Sequence, residues 1–320
     1  MNVLLVIHYG ENQQLILPQV VKELKKRRVR CHLVHDATPQ LKHRFWTLGL
    51  PTTIISMLPL RKFIPQWATI WKQVWLNKIE ECTLLEKAGI PVPKWCPLYP
   101  DREPDLSGFS EFVVVKPACG DFGAFVRVMQ RDKVMWRSVE VKLRQPNGPL
   151  LAQEYIHTGP WPVSYRVATV FGEPIYALRI LADKRRRPFR GVERNSAFFD
   201  GKTIVASSKG CTMDLNVPED VINLGKRAHA AFPTIPLLGS DIVRDLTTGQ
   251  LYVLEVNAHG WVFHLTSPPG KKIEQDFGVD LSAQFGGASA VARGLYKRLC
   301  EAENHNGHGK DYFGQDRRPS

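Results

Sequence analysis

Nothing in this sequence is apolar for long enough to cross a membrane; no stretch approaches the roughly 18 residues such a span needs. The opening run VLLVI (3–7) is too short for the core of a signal peptide and has no basic leader. Cysteine is sparse: thiols stand at 31, 82, 96, 119, 211 and 300. They form no CxxC and no metal-ligand spacing, which argues against a zinc module and fits reduced thiols in a cytoplasmic protein. The first turn, HYGEN, holds one glycine and no GxGxxG, so a dinucleotide fingerprint is missing after the first strand. GxxxxGK[ST] is missing too, which removes the ordinary phosphate-loop NTPases. No internal repeat recurs along the chain.

What the chain has in excess is positive charge, a formal +12 from 43 Lys and Arg against 31 Asp and Glu. That surplus favours anionic partners (nucleic acid, phosphorylated ligands, acidic peptides or an acidic membrane surface) without choosing among them. No nucleic-acid-binding motif accompanies it, so nucleic acid rests on charge alone. KKRR (25–28) closes the amphipathic pattern LPQVVKELKKRR and reads as a solvated helix face. At 320 residues with 43% hydrophobic content, the chain can bury a large core, and length suggests about two domains.

Residues 1–7 read as a strand, 15–28 as a helix and RCHLVH (30–35) as a second strand, the opening of a small parallel sheet. Ile, Trp and Leu spacing predicts one long helix over 64–89, stopped at Gly89, with Trp67, Trp71 and Trp75 on its packed face. Strands are predicted over 112–117, 124–129, 149–156, 165–171, 174–181 and 240–246, and helices over 221–232 and 288–300. Residues 301–320 are polar and unpatterned, which predicts disorder.

Near the C-terminal end, LYVLEVN (251–257) reads as a strand, preceded by the turn TTGQ. Side chains alternate along a strand, so Glu255 and Asn257 face one way and Val256 the other. Two oxygen-bearing side chains at a strand end suit a hard cation such as magnesium. Taken alone, they suit at least as well a buried carboxylate bonded to backbone, with Asn257 opening a turn. SDIVRDL places Asp241 on the preceding strand, and a hairpin would carry it beside Glu255 and Asn257. Lys116 ends the Val-rich FVVVKP before ACGDFGAF, where Gly120 and Gly123 would let backbone amides approach a polyphosphate.

Taken in order, NKIEECTLLEKAGIPVPKW, FVVVKP with CGDFG, AQEYI, YRVATV with GEPIYALR, GSDIVRD and LEVNAHGW resemble the ATP-grasp superfamily over residues 76–265. The resemblance is greatest to the branch of the ribosomal-protein glutamate ligase and glutathione synthetase. It implies an α/β (α+β grasp) fold with an N-terminal βαβ domain at 1–75. A small subdomain at 76–150 and a larger one at 151–300 would grip ATP, ahead of a tail at 301–320. It implies nucleotide contacts from Lys78, Lys116, Gly120 and Gly123, and an adenine hinge at Gln153, Glu154, Tyr155 and Ile156. Arg179 would lie near the transferred phosphoryl group and Arg166 near phosphate or substrate. Asp241, Glu255 and Asn257 would hold magnesium, with manganese able to substitute. The loop ACGDFGAF, the Ser of SYR (164–166) and HGW after EVN depart from the family's pattern.

The implied reaction is ATP-dependent joining of a small-molecule or peptide carboxylate to an amine through an acylphosphate. It needs no cysteine nucleophile, so Cys119 is read as incidental. Two other readings share these residues: a kinase that passes phosphate to a hydroxyl, and a non-catalytic nucleotide-binding protein. The segment 183–195 carries Lys184, Arg185, Arg186, Arg187, Arg190 and Arg194 against Asp183 and Glu193. It is expected to favour an acidic substrate, since guanidinium forks match carboxylates. The identity of the acid and amine, and the oligomeric state, are not written in the sequence.

Overall fold

A computed structural model of the chain describes residues 2–7, 15–35, 52–58, 60, 68–120, 125–138, 148–182, 211–258 and 262–306. The expectations for the HYGEN turn, Gly123, Trp67, the basic segment 183–195, HGW (259–261) and residues 307–320 lie outside them. Three sheets organise the described chain. The first is parallel and contains β1 (Asn2–Ile7), β2 (Arg30–His35), β3 (Thr52–Ser56) and β4 (Thr69–Lys72), in the order β2-β1-β3-β4. From Val3 to Val6, β1 is apolar and buried on both faces, as a covered parallel strand requires. Helix α1 (Leu17–Lys26) buries Leu17, Val20, Val21 and Leu24, spaced one, three and four apart along a single stripe.

The long helix expected over 64–89 is not what forms. Residues Thr69–Lys72 instead add the fourth parallel strand, with Ile55 opposite Trp71. Thr69, Ile70 and Trp71 favour extended backbone, and pairing with β3 overrides the four-residue tryptophan spacing. Trp71 is buried and meets Phe171 edge-on at 5.0 Å between ring centroids. Trp75, by contrast, is exposed. The helix that does form, α2 (Lys78–Lys87), starts at a capping box: Asn77 accepts from the Ile79 and Glu80 amides, and the Glu80 carboxylate accepts from the Asn77 amide. It stops at Ala88, and Gly89 takes the left-handed conformation (φ +67°) that follows many helices.

The second sheet is antiparallel, in the order β5-β8-β6-β7, from β5 (Trp95–Leu98), β6 (Phe112–Pro117), β7 (Arg127–Gln130) and β8 (Leu150–Glu154). β5, like β3, is not apparent in the sequence pattern; it carries Pro97 and sits at the sheet's edge, where a missing N–H is tolerated. The third sheet is antiparallel, in the order β11-β10-β9-β12-β13. It is built from β9 (Val163–Val170), β10 (Glu173–Ala182), β11 (Cys211–Asp214), β12 (Leu237–Arg244) and β13 (Leu251–Asn257).

One face of the third sheet shares a core with α1, β1 and β3, through Ala168, Val170, Tyr176 and Leu178. The other face packs on α2 and α3 (Glu219–His229) through Tyr165, Val167, Ala177 and Val253. After β13 come α4 (Pro268–Phe277), α5 (Leu281–Phe285) and α6 (Ala288–Asn306). α6 runs through residue 300, so residues 301–306 are helical where disorder was expected. Among the described residues no helix is long and apolar enough to cross a membrane.

Two features of this core carry predictions. α6 lies so close to the end of β9 that a Cβ on Gly294 would stand 2.1 Å from the Val170 carbonyl oxygen. Gly294→Ala gains about 1 kcal/mol of helix propensity. It must also move a backbone atom in a packed core, where overpacking costs about 1–3 kcal/mol or more. A net loss is expected as a lower urea-unfolding midpoint, and a raised midpoint would contradict it. In the same core, His229 lies fully buried: its Nε2–H donates to the Ile235 carbonyl at 2.8 Å, which leaves Nδ1 to accept from the Thr169 hydroxyl at 2.6 Å. Burial holds its pKa down at about 4. The folded state therefore resists a proton that the unfolded chain accepts near pH 6.5. Stability is intact above that pH and lost progressively toward pH 4, by roughly 2 kcal/mol at pH 5. Urea midpoints at pH 7 and pH 5 check this, and equal midpoints would contradict it.

Candidate functional site

The β12–β13 hairpin forms as the sequence suggested. Asp245 builds its turn, its carboxylate accepting from the Thr247 and Thr248 amides at 2.7 and 2.8 Å. Asp241 stands opposite Glu255, and Arg166 of β9 stands opposite Asp241 on its other side. Facing positions share a face, so Arg166, Asp241 and Glu255 form one row across three strands, with Asn257 two residues further along.

β13 carries a bulge at this point: Asp241 pairs with Glu255 but Ile242 pairs with Val253, leaving Leu254 extra. Its carbonyl accepts from Lys116 Nζ and from Gln153 Nε2, each at 3.3 Å. Lys116 and Gln153 come from β6 and β8, so the second sheet is tied to the third beside the acidic row.

The charges interlock. Arg166 forks Asp241, Nε to Oδ1 and Nη2 to Oδ2, both at 2.7 Å. Asn257 Nδ2 donates to Asp241 Oδ2 at 3.2 Å, which leaves its amide oxygen for another partner. Lys78 Nζ lies 3.6 Å and Lys116 Nζ 3.8 Å from Glu255 Oε2. Lys78 Nζ also donates to the Gly120 carbonyl at 2.8 Å, and its amide donates to the Ala118 carbonyl at 2.9 Å. The strand end after β6 thereby fixes the start of α2.

Burial pushes the Glu255 carboxyl up, but Lys78, Lys116 and Arg166 more than reverse this and hold it well below the usual carboxylate range. Glu81, one helical turn on from Lys78, shows the opposite balance. It is buried, accepts the Val256 N–H at 3.2 Å, and burial pushes its carboxyl up to about 8 against the pull of Lys78. Sequence reasoning missed Glu81. The available signal was its spacing three residues from Lys78, which puts both on one helix face.

Other expected site residues fall differently. Arg179 faces Tyr165 on β9 and Asp214 on β11, and its guanidinium forks the Asp214 carboxylate with a shortest contact of 2.7 Å. It shares the face of Tyr165 and Ala177, opposite to that of Arg166, Leu178 and Tyr176. The structure does not bring Arg179 to the acidic row. At the expected hinge, the Glu154 and Tyr155 amides are taken by the Lys94 and Phe112 carbonyls, at 2.7 and 3.1 Å. The Glu154 carboxylate accepts from the Ser110 amide at 2.9 Å. Ile156 is buried. Of the two loop glycines, Gly120 lies at the cluster and offers its carbonyl to Lys78.

Among the described residues no group of three His, Cys, Asp or Glu could hold a metal by itself. The row offers two carboxylates and one carboxamide oxygen. Such a set fits a hard cation only when other oxygens, such as those of a phosphate, complete its shell.

The model of the ATP-grasp domain matches residues 76–259, and the chain belongs to that family. This stretch holds Lys78, Lys116, Arg166 and the acidic row. A search of curated protein sequences finds no match. Several solved structures have a similar course over nearly their whole length. D-cycloserine synthetase is 17% identical, with 93% of this chain and 100% of that chain covered and a TM-score of 0.49. The D-alanine–D-alanine ligase of Bacillus anthracis is 12% identical, with 94% and 99% covered and a TM-score of 0.43. A macrocyclase of Microcystis aeruginosa, solved bound to its precursor peptide, is 13% identical, with 93% and 100% covered and a TM-score of 0.49.

Proposed function

We propose that this chain is an ADP-forming ligase that joins a carboxylate to an amine. The carboxylate would accept the γ-phosphoryl group of ATP to become an acylphosphate, and the amine would then displace phosphate to leave an amide. One observation supports this most. Lys78 and Lys116, from separate elements, converge on Glu255 beside the Asp241–Asn257 pair, within the stretch that the ATP-grasp model matches. In this reading the two ammonium groups hold the nucleotide phosphates and are kept at their posts by Glu255 while the site is empty. Arg166 stays on Asp241 and so orients its carboxylate. Glu255, Asp241 and the Asn257 amide oxygen would hold magnesium or manganese. That ion would supply charge neutralisation at the phosphate oxygens. The hinge would face adenine through Ile156, since the two preceding amides are already bonded within the protein.

We place the N-terminal domain at 1–75 and the two gripping subdomains at 76–150 and from 151 onward, with the last helix carrying the second of these to residue 306. Affinity with the glutamate-ligase and glutathione-synthetase branch stays part of the proposal. So does an acidic substrate, which the formal charge of +12 and the basic run at 184–190 support. A screen of the purified protein against paired amino acids, dipeptides and small acids tests the reaction. ADP release that needs both a carboxylate and an amine, with a condensed product by mass, is the expected result. A stable phosphorylated alcohol as product would mean a kinase instead.

A further inference from the structure

β13 carries Glu255 and Asn257 and is an edge strand among the described residues, where one side of its backbone has no strand partner. An edge of that kind needs other groups to satisfy it. Three sets of groups do so here. The Pro91 carbonyl accepts the Val253 N–H at 2.9 Å, Lys116 and Gln153 donate to the Leu254 carbonyl, and the Glu81 carboxylate accepts the Val256 N–H at 3.2 Å. Of these, Glu81 alone binds the residue that lies between Glu255 and Asn257.

A buried carboxyl group is a costly way to satisfy one amide, since a backbone carbonyl would serve and that of Pro91 does so at Val253. Its position adds to the cost, because Glu81 and Glu255 repel one another across Val256. Lys78, on the same face of α2, pairs with Glu255 and offsets only part of that cost, since the Glu81 carboxyl stays raised. Glu81 thus links the helix bearing the first lysine to the strand bearing Glu255 and Asn257, while remaining buried behind both.

We propose that Glu81 is a positioning residue: through the Val256 N–H it holds β13 in the register at which Glu255 and Asn257 meet the metal, and so sets how strongly metal and nucleotide bind together. The inference rests on the nucleotide-binding reading above. The observable is the ratio of affinities for a non-hydrolysable ATP analogue with saturating magnesium and with EDTA, measured by titration calorimetry on the full chain.

Glu81→Ala is expected to lower that ratio about tenfold, equal to about 1.4 kcal/mol. Its affinity in EDTA should change by less than about threefold, because Lys78 and Lys116 remain. Glu81→Gln keeps an acceptor for the Val256 amide and should hold the ratio within about threefold of wild type. Glu81→Ala added to Glu255→Gln should change nothing further, because residues that act through one another are not additive. If Glu81→Ala does not fold, Glu81→Asp reads the same ratio with the acceptor withdrawn by one methylene, and a fall is again expected. A wild-type ratio in the folded variant overturns this inference alone. Failure of the wild-type protein to bind the analogue at all overturns the nucleotide reading and this inference with it.

Discussion

Glu255→Gln is expected to lower turnover by about two to three orders of magnitude, the usual cost of removing one charge-stabilising group from a phosphoryl-transfer site. The variant keeps the shape of the side chain and removes its charge. In the structure that charge holds Lys78 at 3.6 Å and Lys116 at 3.8 Å. Both ammoniums retain a carbonyl partner, Gly120 for Lys78 and Leu254 for Lys116. The loss of stability should therefore stay well below the roughly 3–5 kcal/mol of a buried charge left with no partner. The distinctive result concerns binding. With Glu255 neutral, the lysines no longer have a carboxylate to leave, so a metal-free ATP analogue should bind several-fold more tightly than to wild type. The gain from magnesium should largely vanish. Titration calorimetry with and without magnesium reads both, and a magnesium dependence equal to wild type would remove Glu255 from the metal site.

Lys116→Met is the second large effect. Methionine preserves most of the buried stem, and Gln153 still donates to the Leu254 carbonyl, so the tie between the second and third sheets survives. In the proposed site, what is lost is one charged donor to the nucleotide phosphates. Hydrogen bonds to charged groups are worth about 1.5–3 kcal/mol, so affinity for the magnesium nucleotide should fall by roughly 10- to 100-fold. KM for ATP should rise with it, and unfolding midpoints should move little. Unchanged affinity would leave Lys116 as a tie between sheets and nothing more.

The residues behind both effects are legible in the amino-acid sequence, because the Glu255–Asn257 pair and the strand-end lysine are local patterns and the pieces that hold them follow in a recognisable order. The β12–β13 hairpin is legible for the same reason: alternation fixes the faces of Glu255 and Asn257, and TTGQ fixes the turn. Pairing across the chain is not legible. Trp71 is spaced like a helix residue from Trp67 and Trp75, yet β3 draws it into a strand, a choice made by tertiary contact. Family resemblance places Arg179 near the phosphoryl group, but the β9–β10 register sets it on the other face. There it is forked on an aspartate of β11, a strand with no signal in the sequence. The Leu254 bulge and the covered edge of β13 depend on groups more than a hundred residues away. Glu81 stands in plain view three residues from Lys78, but only burial against Val256 separates it from an ordinary helix-surface acid.

The most direct test of the nucleotide site is a crystal structure of the protein with magnesium and a non-hydrolysable ATP analogue. The account predicts the triphosphate between the second and third sheets, with Lys78 and Lys116 turned from Glu255 to the phosphates. Oxygens of Asp241, Glu255 and Asn257 should lie at magnesium, about 2.0–2.1 Å away. A nucleotide bound elsewhere, with both lysines still on Glu255, would contradict it.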